Sequence, residues 1–223
     1  ADCRVVGLLS ENRPEWAIAY LAILAAGKTV VPIDANLKAT EIAYIISDSR
    51  LQLILLSGKF ELTVGELFPS MKYFSLEQNS PRAWRSLQGD PTDRQMPMSE
   101  VAALIYTSGT TGAPKVVQLT HRNLMSNLEG VEGALQFGSE DLFLSVLPLH
   151  HTFEATCGFL TPLMSGSTVV YARSLKSKEI LEDFSHNGVT IMCGVPLLYE
   201  KMHSAIMRKV QEAPLHRRLL FKT

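Results

Sequence analysis

The chain has no apolar run long enough to cross a membrane. Its longest, "WAIAYLAILAAG" from Trp16 to Gly27, falls short of the roughly 20 residues that such a helix needs, and the helix-start string "NRPEW" leads into it. A buried helix is the better reading. No basic segment followed by a cleavage site opens the chain, so no signal peptide is legible. Charge of one sign is also lacking. The formal net charge is −1, which leaves little to attract nucleic acid or an anionic membrane surface. Cysteine is scarce: Cys3, Cys157 and Cys193 are odd in number and show no C-x-x-C spacing. They fit reduced thiols in a cytoplasmic protein better than a disulfide framework or a zinc site. The first residue is Ala1 rather than methionine, and a strand-like run follows almost at once. The expectation is a piece of a longer polypeptide. Internal repeats and low-complexity tracts are missing.

What remains is the composition of a soluble globular protein: 223 residues, 46% apolar and 19% charged. Strand-like and helix-like patterns alternate. "VVGLLS" (5–10), "TVVPID" (29–34) and "LQLILLS" (51–57) are short apolar runs of strand length. Between them lie a helix with Pro14 at its first position and Gly27 just past its end, and a second, threonine-capped helix "TEIAYIISDSR" (40–50) with Ile42, Ile45 and Ile46 on one stripe. Strands buried on both faces and separated by helices imply βαβ units, an α/β class with layered α-β-α architecture and mostly parallel sheets. From Leu76 to Met98 the periodicity fails, which reads as a surface connection. The rhythm then resumes with "VAALIYTS", "KVVQLT", a helix from about Arg122 capped by Thr120 or His121, "DLFLSVLP", the helix "HTFEATCGFLTPLMSG", "STVVYA", the helix "SKEILEDFSHNG", "VTIMCGVP", the helix "PLLYEKMHSAIMRKV" and a last strand-like "RLLFKT". The expected organisation is a first α/β subdomain over 1–76, a connecting segment over 77–98 and a second, similar subdomain over 99–223.

One stretch interrupts this core with hydrogen-bond donors: "YTSGTTGAPK", 106–115. Gly109 and Gly112 let backbone approach a ligand without intervening Cβ atoms. Thr107, Ser108, Thr110 and Thr111 add hydroxyls, and Lys115 adds a positive point charge. Together they make a concave donor set suited to phosphate oxygens. It is not a Walker A loop, which needs glycine before the lysine, a hydroxyl residue after it and a following helix. Here Pro114 precedes Lys115, Val116 follows, and the next segment is strand-like. A solvated hairpin loop with an exposed lysine is the competing explanation.

Three strings occur together in order: "AILAAGKTVVPID" (22–34), "YTSGTTGAPK" and "LPLHHTFE" (147–154). They resemble the adenylate-forming enzymes (acyl-CoA synthetases, luciferases and peptide-synthetase adenylation domains), and "LPLHHTFE" leans toward the long-chain fatty acyl-CoA synthetases. The resemblance runs over essentially the whole chain. One departure is Val116, where that family usually has glycine after the lysine.

The resemblance implies an incomplete large N-terminal domain of the adenylate-forming fold, with its mobile C-terminal domain outside this chain. It implies a ligase that activates a fatty acid with Mg-ATP as an acyl-adenylate and passes the acyl group to coenzyme A. Thr107, Ser108, Gly109, Thr110, Thr111, Gly112 and Lys115 would grip the departing pyrophosphate, with Thr107 also near Mg2+, in a loop expected to be flexible. His151 would orient the acyl carboxylate, since a carboxylate nucleophile needs no deprotonation near neutral pH. A capped helix start with one ring packed and one solvated is the competing account of the His150–His151 pair. Phe153, Glu154, Gly194 and Val195 would line the acyl site, although apolar segments there are more often plain core and Glu154 reads equally as first-turn charge on a helix dipole. Cys157 and Cys193 show no nucleophile setting. The family's adenine, ribose and C-terminal lysine motifs are not found in these 223 residues, so acyl-CoA formation by this polypeptide alone is not expected. The rival readings are an adenylating enzyme for another acid or for an acyl carrier protein, and a non-catalytic nucleotide-binding module. Partners are small molecules, with no nucleic acid and no membrane span; peripheral membrane contact and oligomeric state stay open.

Overall fold

Two sheets organise the chain in the computed structural model, which describes residues 4–84, 100–107, 114–212 and 214. The first contains β1 (Val5–Leu9), β2 (Thr29–Ile33), β3 (Leu53–Leu56), β4 (Lys72–Ser75), β5 (Val101–Thr107) and β6 (Lys115–Thr120), in the order β4-β3-β1-β2-β5-β6. Its strands run parallel except β6, which returns antiparallel to β5. The second sheet is β7 (Leu142–Ser145), β8 (Thr168–Tyr171) and β9 (Ile191–Met192), in the order β8-β7-β9 and all parallel. The α/β class and the mostly parallel pairing are as the sequence predicts.

The break between the sheets lies elsewhere than the polar connection. β5 pairs with β2 through Val30 and Ala103, so the first sheet takes in residues as far as Thr120, and the second begins at Leu142. The polar 77–98 stretch therefore links strands of one sheet. Polar, aperiodic composition does not by itself require a change of core. Two elements in the first half carry too weak a pattern to be read from sequence: the seven-residue α3 (Glu61–Leu67) and the four-residue β4.

Local signals at the helix ends hold in most places. α1 (Pro14–Ala25) carries its proline in the first turn. Gly27 adopts φ +68°, which lets the Lys28 N–H turn back to the Ile23 carbonyl at 3.1 Å. α2 (Ala39–Asp48) begins one residue earlier than expected, so Thr40 is not its cap; the Glu41 carboxylate instead accepts the Lys38 N–H at 2.9 Å. α4 (His121–Ala134) is capped by Thr120, whose Oγ1 accepts the Asn123 N–H at 3.2 Å while Asn123 Oδ1 accepts the Thr120 N–H at 2.9 Å.

The expected helix after "LPLHH" is continuous but not uniform. It runs as α5 (Thr152–Glu154), a π-helical segment Ala155–Leu160, and α6 (Thr161–Met164). α7 (Ser177–Asn187) and α8 (Pro196–Glu212) pack on the second sheet through Ile180, Leu198 and Met202. The expected strand "VTIMCGVP" shrinks to the two residues of β9, and "RLLFKT" lies outside the described residues.

The two sheets share a core. Trp16 and Tyr20 on α1 stack at 5.2 Å, and both meet the edge of Phe159 from the π-helical segment, at 6.1 and 5.8 Å. All three are nearly fully buried, together with Leu8, Val30, Ala103, Leu128 and Leu149. Aromatic pairs of this geometry each contribute about 0.5–1.5 kcal/mol beyond burial. They fix the carboxyl ends of β1, β2 and β7 relative to one another, and the polar residues gather there.

Candidate active site

In a parallel sheet the carboxyl ends of the strands open onto loops, and ligands bind in the crevices there. Four such ends converge in this protein. β1 is followed by Ser10–Asn12, β2 by Asp34, β5 ends on Thr107, and β7 leads into Val146–His151.

The loop after β7 is tied to the first sheet by one side chain. Asn12 Nδ2 donates to the Leu147 carbonyl at 2.7 Å, and Asn12 Oδ1 accepts the Leu149 N–H at 2.9 Å. The amide thus clasps the backbone on both sides of Pro148. In the sequence "NRPEW" reads only as a helix start. The partner lies 135 residues away, beyond any local pattern.

Held this way, the two adjacent histidines point to different surroundings. His150 is largely buried, with Nε2 3.5 Å from Asp34 Oδ2. Burial pushes its pKa down to about 4, against the pull of Asp34, and the neighbouring His151 lowers it further. The ring is therefore neutral at pH 7. His151 is exposed at the start of α5, its N–H donating to the Pro148 carbonyl at 3.0 Å and its own carbonyl accepting the Ala155 N–H at 2.9 Å. The pair divides as one packed and one solvated ring, and the solvated one stands at a junction.

That junction lies between two clefts. One, of about 440 Å³, is bordered by Ile105, Thr107, Val117, Leu119 and Asn123 together with His151 and Thr152. The other, of about 470 Å³, is bordered by Leu147, Pro148, Phe153, Glu154 and Val195, again with His151 and Thr152. Of the residues expected from sequence, Thr107 belongs to the first cleft. Phe153, Glu154 and Val195 belong to the second, and His151 belongs to both. Gly194 is not in the wall of either; its α-carbon packs against Leu198 and Tyr199, where a Cβ would come within 3.1 Å of both side chains.

Lys115 opens β6 directly opposite Thr107, and Thr107 Oγ1 donates to the Lys115 carbonyl at 3.3 Å. Side chains alternate along a strand, so Lys115 is on the same face as Val117 and Leu119, which border the Thr107–His151 cleft. Ser108, Gly109, Thr110, Thr111 and Gly112 lie outside the described residues. Val116 occupies an ordinary ladder position opposite Tyr106. Among the described non-glycine residues only Arg50 has positive φ, so the departure at Val116 brings no backbone strain.

Glu154 is not the solvated first-turn charge that a helix dipole would hold. It is 0% exposed; its Oε1 accepts the Ser145 hydroxyl at 2.6 Å, and Oε2 has no hydrogen-bond partner among the described residues. A Cβ on Gly158 would overlap this carboxylate, so glycine in the π-helical segment makes its space. Burial raises the Glu154 pKa to about 7, although the Ser145 hydroxyl and the Leu147 and Val146 amides oppose the shift. Among the described residues no group of three or more histidine, cysteine, aspartate or glutamate side chains could hold a metal. Thr107 alone offers one hydroxyl oxygen, which does not make a resident metal site.

A family model described as "AMP-binding enzyme" matches residues 2–220. Long chain acyl-CoA synthetase 2 of Arabidopsis thaliana is 28% identical over 243 residues, covering 96% of this chain and 36% of that protein. Tyrocidine synthase 3 of Brevibacillus parabrevis is 32% identical over 200 residues, covering 87% of this chain and 3% of that protein. Among solved structures, O-succinylbenzoate coenzyme A synthetase from Bacillus subtilis in complex with AMP superposes with a TM-score of 0.78 at 23% identity, over 96% of this chain and 53% of that one. The chain thus spans about a third of the length of the plant synthetase it matches.

Proposed function

Because this chain belongs to the AMP-binding enzyme family, we propose that it forms part of an ATP-dependent acid–thiol ligase that activates a fatty acid as its adenylate and transfers it to coenzyme A. The observation that carries this reading is the position of His151, on the wall shared by the Thr107 cleft and the Phe153–Glu154–Val195 cleft. A nucleotide in the first and an acid in the second would meet at that side chain.

The chemistry asks for little beyond placement and charge. A carboxylate oxygen attacks the α-phosphorus of ATP, and the bond to the bridging oxygen breaks, so that pyrophosphate leaves with the negative charge. Both reactants are anions, and the barrier falls when donors await the charge on the leaving group. Lys115 and residues 107–112 supply those donors in this reading, and His151 orients the carboxylate. Magnesium would arrive with ATP as part of the substrate and neutralise phosphate charge; among the described residues of this chain, the Thr107 hydroxyl would join its shell. The mainly apolar wall of Leu147, Pro148, Phe153 and Val195 suits an aliphatic acid. The match to tyrocidine synthase 3 at 32% identity supports a second reading, in which the acid is an amino acid or the acceptor is a carrier protein.

Calorimetric titration with Mg-ATP tests the nucleotide side. Replacing Lys115 by alanine removes a charge-assisted hydrogen bond of about 1.5–3 kcal/mol and is expected to weaken binding about tenfold or more. Binding unaffected by that substitution would leave the nucleotide assignment without its grip. Pyrophosphate exchange across a panel of acids, in the whole protein that carries this chain, tests the acid. Exchange with amino acids and none with fatty acids selects the second reading.

A further inference from the structure

We propose that Cys157 and Cys193 form a modification site, a dithiol that a peroxide converts to an intramolecular disulfide. The two residues are 36 positions apart in sequence and belong to different elements. Cys157 is in the π-helical segment, and Cys193 directly follows β9. The fold brings them together: Cys193 Sγ lies 3.9 Å from the Cys157 carbonyl oxygen, and each thiol perturbs the titration of the other. Both are free and partly exposed, so a small oxidant can reach them.

Their environments differ in the sense that the chemistry requires. The neighbouring Cys193 thiol brings the Cys157 thiol down to about 7, while Cys157, burial and the nearby Glu154 carboxylate push Cys193 up. Cys157 is the nucleophile and Cys193 the resolving thiol. The Cys157 thiolate attacks one oxygen of hydrogen peroxide, the O–O bond breaks, and hydroxide leaves, taking up the thiol's proton as water. Cys193 sulfur then attacks the Cys157 sulfenic acid. The S–O bond breaks, a second water leaves with the Cys193 proton, and the S–S bond forms. Two thiols and one peroxide become one disulfide and two waters.

The bond would join the helix that begins at His151 to the backbone just before Gly194 and Val195. Val195 borders the same cleft as Phe153 and Glu154, so oxidation pins one wall of that cleft to the other. The inference holds whichever acid or nucleotide the clefts accept.

The test uses the Cys3→Ser chain, which leaves only this pair of thiols. With hydrogen peroxide in native buffer, intact mass is expected to fall by two hydrogens. A non-reducing digest is expected to contain one peptide linking Cys157 to Cys193, abolished by dithiothreitol. Adding Cys193→Ser leaves a sulfenic acid at Cys157 that a dimedone probe captures, and Cys157→Ser leaves Cys193 about tenfold less reactive. Oxygen added to either thiol without a link, or links only between molecules, would overturn the proposal. So would the same cross-link yield in denaturant, because proximity would then owe nothing to the fold.

Discussion

The two sheets solve burial differently. In the first, Leu8, Leu9, Val30, Val31, Ile33, Ile54 and Leu56 all show 0% exposure, and α1 and α2 cover opposite faces. In the second, the strands are shorter and less covered. The buried carboxylates among the described residues, Glu154 and Asp183, both belong to that half. Asp183 is matched by Arg173 Nε at 2.6 Å, whereas Glu154 meets only neutral donors, the Ser145 hydroxyl and the Val146 and Leu147 amides. The first sheet is thus a scaffold held by apolar area. The second accepts the cost of burying polar groups beside the clefts, as sites that perform chemistry commonly do.

The largest expected effect comes from breaking the scaffold. Ile54→Ala removes a fully buried side chain from β3 of the first sheet and is expected to cost about 2–5 kcal/mol, measured by urea unfolding, with little dependence on pH.

In the second half the dependence on pH is the signature. The folded-state pKa of Glu154 stands above its ordinary value, so the folded protein holds that proton more tightly than the unfolded chain. The resulting stabilisation is complete below about pH 4.5 and is lost as pH rises through about 7. Glu154→Gln keeps the shape and removes the titration. Above neutral pH it is expected to raise stability by about 3 kcal/mol, and to flatten the fall in melting temperature between pH 5 and pH 8. An unchanged slope would assign the burial cost to another group.

The seam between the halves is the next test. Asn12→Ala leaves the Leu147 carbonyl and Leu149 N–H without their partner and is expected to cost about 1–3 kcal/mol. The sharper readout is faster hydrogen exchange at the Leu149 amide, with amides of β1 and β3 unmoved.

The smallest effect is expected at the first sheet's edge. Val116→Gly restores the residue usual in the resembled family, but at an extended ladder position it is expected to destabilise by about 0.5–1 kcal/mol, seen as a small drop in the urea midpoint.

These contrasts also mark where sequence was informative. Pro14, Gly27 and Thr120 act on their own backbone within a few residues, so pattern alone located those helix ends. Apolar runs identified most strands, because strands buried on both faces need little else. What escaped depends on distant partners. The pairing of β5 with β2 through Val30 and Ala103 moved the sheet boundary, and Asn12 meets its loop 135 residues on. The burial of Glu154 depends on Ser145 and on the space at Gly158, although the short spacing between Glu154 and Gly158 was visible. The π-helical segment left no periodicity that distinguishes it from an α-helix. The proposed phosphate-binding stretch was legible as a string, and of its proposed gripping residues only Thr107 and Lys115 are among the described residues.

Strand β6 closes the first sheet as its outermost member, with Lys115 to Gln118 all exposed, including Val116 at 42% and Val117 at 44%. Such a rim is a template for strand addition by a second copy, and a lysine at its tip acts as a gatekeeper against that stacking. Neutralising Lys115 would therefore remove the proposed phosphate contact and this protection together, and self-association would look like lost affinity in a titration. Lys115→Arg keeps the repulsion while replacing a compact ammonium with a planar fork, so it separates solubility from recognition.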